Sequence, residues 1–480
     1  GDVDVVGGGK STAAVTNAAA FDLNTSGTFD VTGGFTNESS GVLTVGAGTA
    51  LKADLENEAG ANAFVNGTLD GTLDITGGLV TVNNATDDGE TPVLDVTGKT
   101  TVGTNGSLTL TAGDLSAVEN NAGTVVLTTG TVASLDNNII PTDPESDPDR
   151  GNVDVDGNVT VTGGITNAGD LDVNTGTLTV TAGTLNNETG GIVTIADGAS
   201  AVADVITNDG TISVGVGSKL EGTGNTLNNN MTINVATNGT VTDAGDTNNN
   251  AGGIINFNGP AGAPGTSASL NAGGTGTGTI NNVAATSEIN VVAGDVTVGN
   301  DNVDTLGIID VATGSTMSGL ATLDQTGGTI RGGGTIGVTG LFQQSGGVTA
   351  GTIDINSGSF TQSGGLTTVL ASGTTVTSAG AQSLDGGTIA GNLDGAGTIT
   401  VASGITSLTG AITNATNDPV TNAGLTVSGG TLNETGSGSI DTANNLITVS
   451  SGTLSTDGDG IANNEAVTVS GTGILLSLIH

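Results

Sequence analysis

Short stretches of alternating apolar and polar residues run along almost the whole chain. In Gly71-Thr-Leu-Asp-Ile-Thr76, Leu73 and Ile75 fall on one side of an extended backbone, and Thr72, Asp74 and Thr76 on the other. A period of two is strand geometry with one face buried and one face wet. Similar runs recur as Gly210-Thr-Ile-Ser-Val214, Met231-Thr-Ile-Asn-Val235 and Gly253-Ile-Ile-Asn-Phe257. They are punctuated by Asn-containing bends at Asn167, Asn187, Asn208, Asn230, Asn250 and Asn271, about 20 to 22 residues apart. Distant segments also align. Asn37-Glu-Ser-Ser-Gly-Val-Leu-Thr-Val45 matches Asn187-Glu-Thr-Gly-Gly-Ile-Val-Thr-Ile195. A Gln-Ser/Thr-Gly-Gly variant takes over at Gln325, Gln344 and Gln362, with Leu384-Asp-Gly-Gly387 in the following repeat, and Asn bends return at Asn422, Asn445 and Asn464.

A unit of this length holds two or three short strands and no repeating two-residue hairpin. The arrangement that satisfies it is a coil in which each unit makes one turn, and turns stack through parallel hydrogen bonds roughly 4.8 Å apart. The expected fold is all-β, a right-handed parallel β-helix (β-solenoid) with about 20 residues per rung. At that period the chain makes about 24 rungs and a rod on the order of 110 Å long. Asn at equivalent bends is expected to form side-chain ladders, each amide bonding the one a turn away. The blocks expected are 1–140 and 153–473, parts of one solenoid, with a Pro/Asp-rich loop or seam at 141–152 and an atypical tail at 474–480. The 138–151 stretch holds three prolines, which cannot donate to a central ladder. Residues 259–265 read as a smaller excursion. The tail Ile474-Leu-Leu-Ser-Leu-Ile-His480 leaves the Gly/Thr/Asn idiom and looks artefactual.

Composition fits a narrow core. The 480 residues include 85 Gly and 7 Phe, with no Trp, Tyr or Cys. Glycine at that frequency works against long helices, and absent cysteine removes disulfide scaffolds and thiolate metal sites. Asp and Glu number 47 against 6 Lys and Arg, a formal charge of −41. Six cations argue against nucleic acid as a partner. The chain starts at Gly1, shows no basic leader followed by an apolar run, and has no apolar stretch of membrane-spanning length, which reads as an internal or mature segment of a larger protein.

Units such as Ile206-Thr-Asn-Asp-Gly-Thr-Ile-Ser-Val-Gly-Val-Gly-Ser-Lys-Leu220 and Phe360-Thr-Gln-Ser-Gly-Gly365 resemble the rungs of bacterial autotransporter passengers and haemagglutinin-type surface adhesins. The resemblance covers most of 20–470 and is one of repeat style. It implies an extracellular location at the bacterial surface and a role in adhesion, aggregation or biofilm. Partners would be surface glycans or proteins of a host or neighbouring cell, or further copies of the chain. An outer-membrane barrel would lie outside this segment.

Histidine acid–base catalysis has only His480 to draw on. The cations Lys10, Lys52, Lys99, Arg150, Lys219 and Arg331 are scattered, which argues against a lyase. A two-carboxylate glycosidase is allowed by the acid count, but aromatic sugar platforms are scarce, so a carbohydrate-active enzyme is the alternative and not the expectation. A structural surface-layer or fibre component is a further alternative. Asp457-Gly-Asp-Gly-Ile-Ala-Asn-Asn-Glu465 is similar to extracellular calcium loops, with Asp457, Asp459, Asn463 and Glu465 as oxygen ligands for Ca²⁺. A second acidic stretch offers Asp147, Asp149, Asp154 and Asp156. Paired hydroxyls such as Thr109/Thr111, Thr426/Ser428 and Thr448/Ser450 read as solvent-facing strand residues.

Overall fold

The computed structural model describes residues 3–5, 8–83, 95–140, 149–259, 267–272, 278–364, 368–395, 397–414, 424–436, 438–442, 446–457, 461 and 466–477. It divides into two compact units. One comprises Gly1–Leu227 with Met231–Asn234, and the other Asn228–Asn230 with Val235–His480. Both are parallel β-solenoids, and the described strands make about 19 turns of about 21 residues. The turns depart from a uniform 20 residues in two ways. Turns are slightly longer than 20 residues, and some carry inserts. Ladder partners Asn137 and Asn167 lie 30 residues apart, and Asn249 and Asn282 lie 33 apart, against 20 for Asn167 and Asn187.

Within the first unit, strands Ala20–Leu23, Val42–Val45, Asn62–Val65 and Leu73–Asn83 stack in register, Phe21 against Leu43, Leu43 against Ala63, and Ala63 against Val80. Each pairs in parallel with the strand one turn away, so every inward side chain lies on its counterpart. The alternation read from the sequence holds. Leu73 and Ile75 are fully buried, while Thr72, Asp74 and Thr76 are exposed. Five of the seven Phe are buried, and Phe342 lies in register on Phe360 with ring centroids 5.2 Å apart. The core is a column of single aliphatic residues per position, so large rings are needed rarely.

The corners of many turns carry the ladder that the sequence implied. In the first unit Asn17 donates Nδ2 to Asn37 Oδ1 at 2.8 Å, and Asn37 to Asn57 at 2.8 Å. Ile75 and Val102 then fill the column. It resumes as Asn120, Asn137, Asn167, Asn187 and Asn208, with successive distances of 2.9, 2.7, 2.9 and 2.8 Å. Each amide also reaches a carbonyl, as Asn167 does to Ile192 O at 3.0 Å. These side chains are buried, and the ladder satisfies them without water. In the second unit Asn229 bonds Asn249 at 2.9 Å, Asn249 bonds Asn282 at 3.0 Å, and Asn282 bonds Thr305 at 3.2 Å. Gln325, Gln344 and Gln362 continue it, with Gln362 donating to Gln344 Oε1 at 3.1 Å. Leu384 follows Gln362 in register. Further on, Val401, Val427 and Val449 stack on one another.

The sequence placed some of these bends one residue off. The ladder members are Asn229 and Asn249, whereas Asn230 and Asn250 bond each other on the outside, at 2.7 Å. Asn271 sits in strand Ser267–Asn271, away from the ladder, whose next member is Asn282. Asn422, Asn445 and Asn464 lie outside the described residues.

The bends after ladder residues explain the Asn-x-x-Gly-Gly spelling. Gly190 and Gly252 adopt φ of 88° and 83°, which side-chain-bearing residues rarely do. At Gly191 a Cβ would overlap Asn187 Oδ1, so the second glycine lets the backbone close on the amide. The residues flanking 141–148 pair antiparallel, Ile139 with Arg150 and Ile140 with Asp149. Most of the Pro/Asp-rich stretch and of the 259–265 stretch lies outside the described residues.

Candidate binding surface

Because turns stack in register, outward residues form columns just as inward ones do. Every Lys and Arg is ion-paired, five of them across turns. Lys10 pairs with Asp30 at 3.2 Å and Lys52 with Asp70 at 3.8 Å. Lys99 pairs with Glu119, Arg150 with Asp170 at 3.2 Å, and Arg331 with Asp310 at 2.7 Å. In each of these five pairs the carboxylate belongs to a neighbouring turn. Lys219 pairs with Glu221 on its own strand at 2.7 Å. The Lys99 contact, with help from Asn121, holds the Glu119 carboxyl below its ordinary range. Asp54 is lowered too, because it accepts from the backbone N–H and hydroxyl of Thr72.

The acids left over gather in register. In the first unit Asp154 on strand Asn152–Val161 stands over Asp172 on strand Asp170–Val173. Asn152 donates to Asp154 at 2.9 Å, and Asn174 donates to Asp156 at 3.0 Å and Asp154 at 3.4 Å. Partial burial raises the Asp154 carboxyl, and the neighbouring charges of Asp172 and Asp156 add to the rise.

In the second unit Asp304 stands over Asp324, and Gln343 follows Asp324. With Asn302, Thr322 and Leu341 they line an open cavity of about 160 Å³. Thr322 donates to Asn302 Oδ1 at 2.8 Å. Burial raises both carboxyls, and Asp324 and Asp246 push Asp304 up further. Sequence reading missed this pair. The available signal was an identical residue type 20 positions apart, one turn of the repeat.

Farther along, Thr400, Thr426, Thr448 and Thr468 stack in register on the outer face. The Thr-x-Ser spelling therefore builds a hydroxyl column, one residue per turn.

The calcium candidates are placed only in part. Asp457 accepts from Gly436 N–H at 2.7 Å, and its own N–H donates to Glu434 at 3.2 Å. Asp459, Asn463 and Glu465 lie outside the described residues. Of the second stretch, Asp147 and the Asp149 side chain also lie outside, while Asp154 and Asp156 share Asn174. Among the described residues no group of three or more His, Asp or Glu is placed to hold a metal ion. Among the same residues no helix is long and apolar enough to cross a membrane.

Comparison with known families finds no matching model, and no curated protein matches the sequence.

Proposed function

We propose that this chain is a segment of an extracellular bacterial surface protein that acts as a stalk or adhesive surface, in the manner of an autotransporter passenger and with its right-handed winding. The observation that supports the reading is the repetition of one outward chemistry turn after turn, as in Thr400, Thr426, Thr448 and Thr468. Contacts that are weak singly add through multivalency when they recur along one scaffold. The partners that suit such columns are glycans or proteins on a neighbouring or host cell. The uniform negative charge keeps copies apart in solution. Pairing of all six cations with carboxylates also leaves none poised as a catalytic base for acidic polysaccharide.

The test is adhesion of beads coated with the chain to bacterial and epithelial cells, against beads coated with an unrelated protein of equal negative charge. Retention several-fold above the control, falling steeply as coating density is lowered, is the expected result. Equal retention removes the adhesive reading, and release of oligosaccharides from polysaccharide substrates replaces it with an enzymatic one.

A further inference from the structure

An inward polar residue whose neighbours in the turns on either side are apolar has no partner on its own column. Gln382, the first residue of strand Gln382–Asp385 and two residues before the ladder position of Leu384, is such a residue. It lies in register with Phe360 in one neighbouring turn and Ile399 in the other. It is 1% exposed, and neither Nε2 nor Oε1 has a protein partner among the described residues. Thr247 likewise stands two residues before its ladder member Asn249, in register with Ile280, and its hydroxyl is in the same state.

The Gln382 side chain runs to strand Asn392–Gly395, where Nε2 takes the space that a Cβ on residue 395 would fill. Glycine at 395 is therefore what makes room for the amide. Ser378, in register with Gly395, is also small, and its hydroxyl is engaged by Gly358 O at 3.1 Å. One turn earlier Gln362 gives Nε2 to Gln344, but its Oε1 has no donor, because Leu384 follows it in the ladder column. Two neighbouring turns thus bring one unsatisfied amide NH2 group and two unsatisfied carbonyl oxygens into the interior, where the in-register neighbours of Gln382 are Phe360 and Ile399.

We propose that this stretch of the solenoid interior is a hydration site, in which ordered water is held by the Gln382 amide. The chemistry selects water over other occupants. A cation would suit Oε1 and be repelled by the N–H groups of Nε2, and an anion the reverse. An apolar guest would leave both unsatisfied. Water donates to the one and accepts from the other, and buried water is normally found at such groups. The inference stands apart from the adhesive reading, since it concerns the interior alone.

The experiment is a high-resolution diffraction structure of the chain and of Gln382→Leu, with thermal unfolding of both. A solvent peak roughly 2.7–3.2 Å from the Gln382 amide is expected in the parent. The variant is expected to lose that peak and to unfold at the same temperature or higher, because it exchanges a hydrated amide for a side chain of similar volume that needs no partner. An ordered Gln382 with no solvent peak overturns the proposal. So does a fall of more than about 3 °C in the variant, which would show that protein groups satisfy the amide.

Discussion

Asn137 donates its side-chain amide to Oδ1 of Asn167 at 2.7 Å although 30 residues separate them in the chain. The intervening insert leaves the ladder unbroken, because its base is closed by the antiparallel pairs Ile139 with Arg150 and Ile140 with Asp149. Replacing residues 141–148 by Asn-Gly, a favoured two-residue hairpin turn, should therefore leave the first unit's stability within about 1 kcal/mol of the parent. Urea unfolding reads this directly. A larger drop would mean that the insert packs on the coil.

The middle of the ladder should be its most sensitive part. Asn187→Leu removes the ladder acceptor of Asn167 and the ladder donor to Asn208 from a buried column, leaving Asn167 only its carbonyl contacts to Gly169 and Ile192 and Asn208 Oδ1 the Gly210 N–H. The expected loss is about 2–4 kcal/mol by denaturant unfolding. Asn57→Leu should lose less, about 1–2 kcal/mol, because its next neighbour in the column is already Ile75. Equal losses at both positions would deny the ladder its cooperative character.

Ser40 carries φ of 70° in the bend after Asn37, where Gly190 stands in the aligned bend after Asn187 with φ of 88°. Ser40→Gly relieves a left-handed backbone and should stabilise by about 0.5–1 kcal/mol. Gly190→Ser should destabilise by a similar amount or more. The two shifts in unfolding midpoint must have opposite signs.

Acid should help this protein at first. The carboxyls of Asp154, Asp304 and Asp324 are raised in the folded state, chiefly by burial. The folded chain then holds more protons than the unfolded one between the ordinary carboxylate pKa and the raised values. Stability falls as pH rises through that window and recovers as pH is lowered through it. Asp54 and Glu119 act in the opposite sense, since their lowered carboxyls contribute stability above the ordinary pKa and lose it as pH falls through the lowered values. Unfolding temperature measured from pH 7 downward should rise before it drops. Asp304→Asn should shrink the rise, and an unchanged profile in that variant would refute the assignment.

Salt should also stabilise. With a formal charge of −41, repulsion among outward acids opposes the folded state and is screened as ionic strength grows. Moving from roughly 10 mM to 300 mM sodium chloride should raise the unfolding temperature by several degrees, with little dependence on the anion. A flat response would place the acids too far apart to interact.

The coil was legible because both of its periods are written in residue type. Alternation in runs such as Leu73-Asp-Ile75 gave the strands, and Asn167, Asn187 and Asn208 gave the turn. The reading slipped where neighbouring residues carry the same letter. In Asn228-Asn229-Asn230 the side chain that enters the ladder is fixed by the inward phase of the strand, which a run of identical residues hides. Asn271 fitted the spacing by coincidence, because an insert lengthened that turn to 33 residues. The Asp304 and Asp324 pair was harder still. Acids are common along the chain, and only the register shows which of them meet.

The pairing of every basic side chain bears on how this chain fares with trypsin-like proteases. A trypsin-like enzyme needs Lys or Arg at the bond it cuts, and 480 residues offer it six. Lys10, Lys52, Arg150, Lys219 and Arg331 lie within strands, and Lys99 directly precedes Thr100–Ala112. To seat any of them in its specificity pocket, the enzyme must first pull the basic group from its carboxylate and peel a strand away from its neighbours. Digestion of the folded chain should thus wait on local unwinding of the coil, at a pace set by the turns themselves.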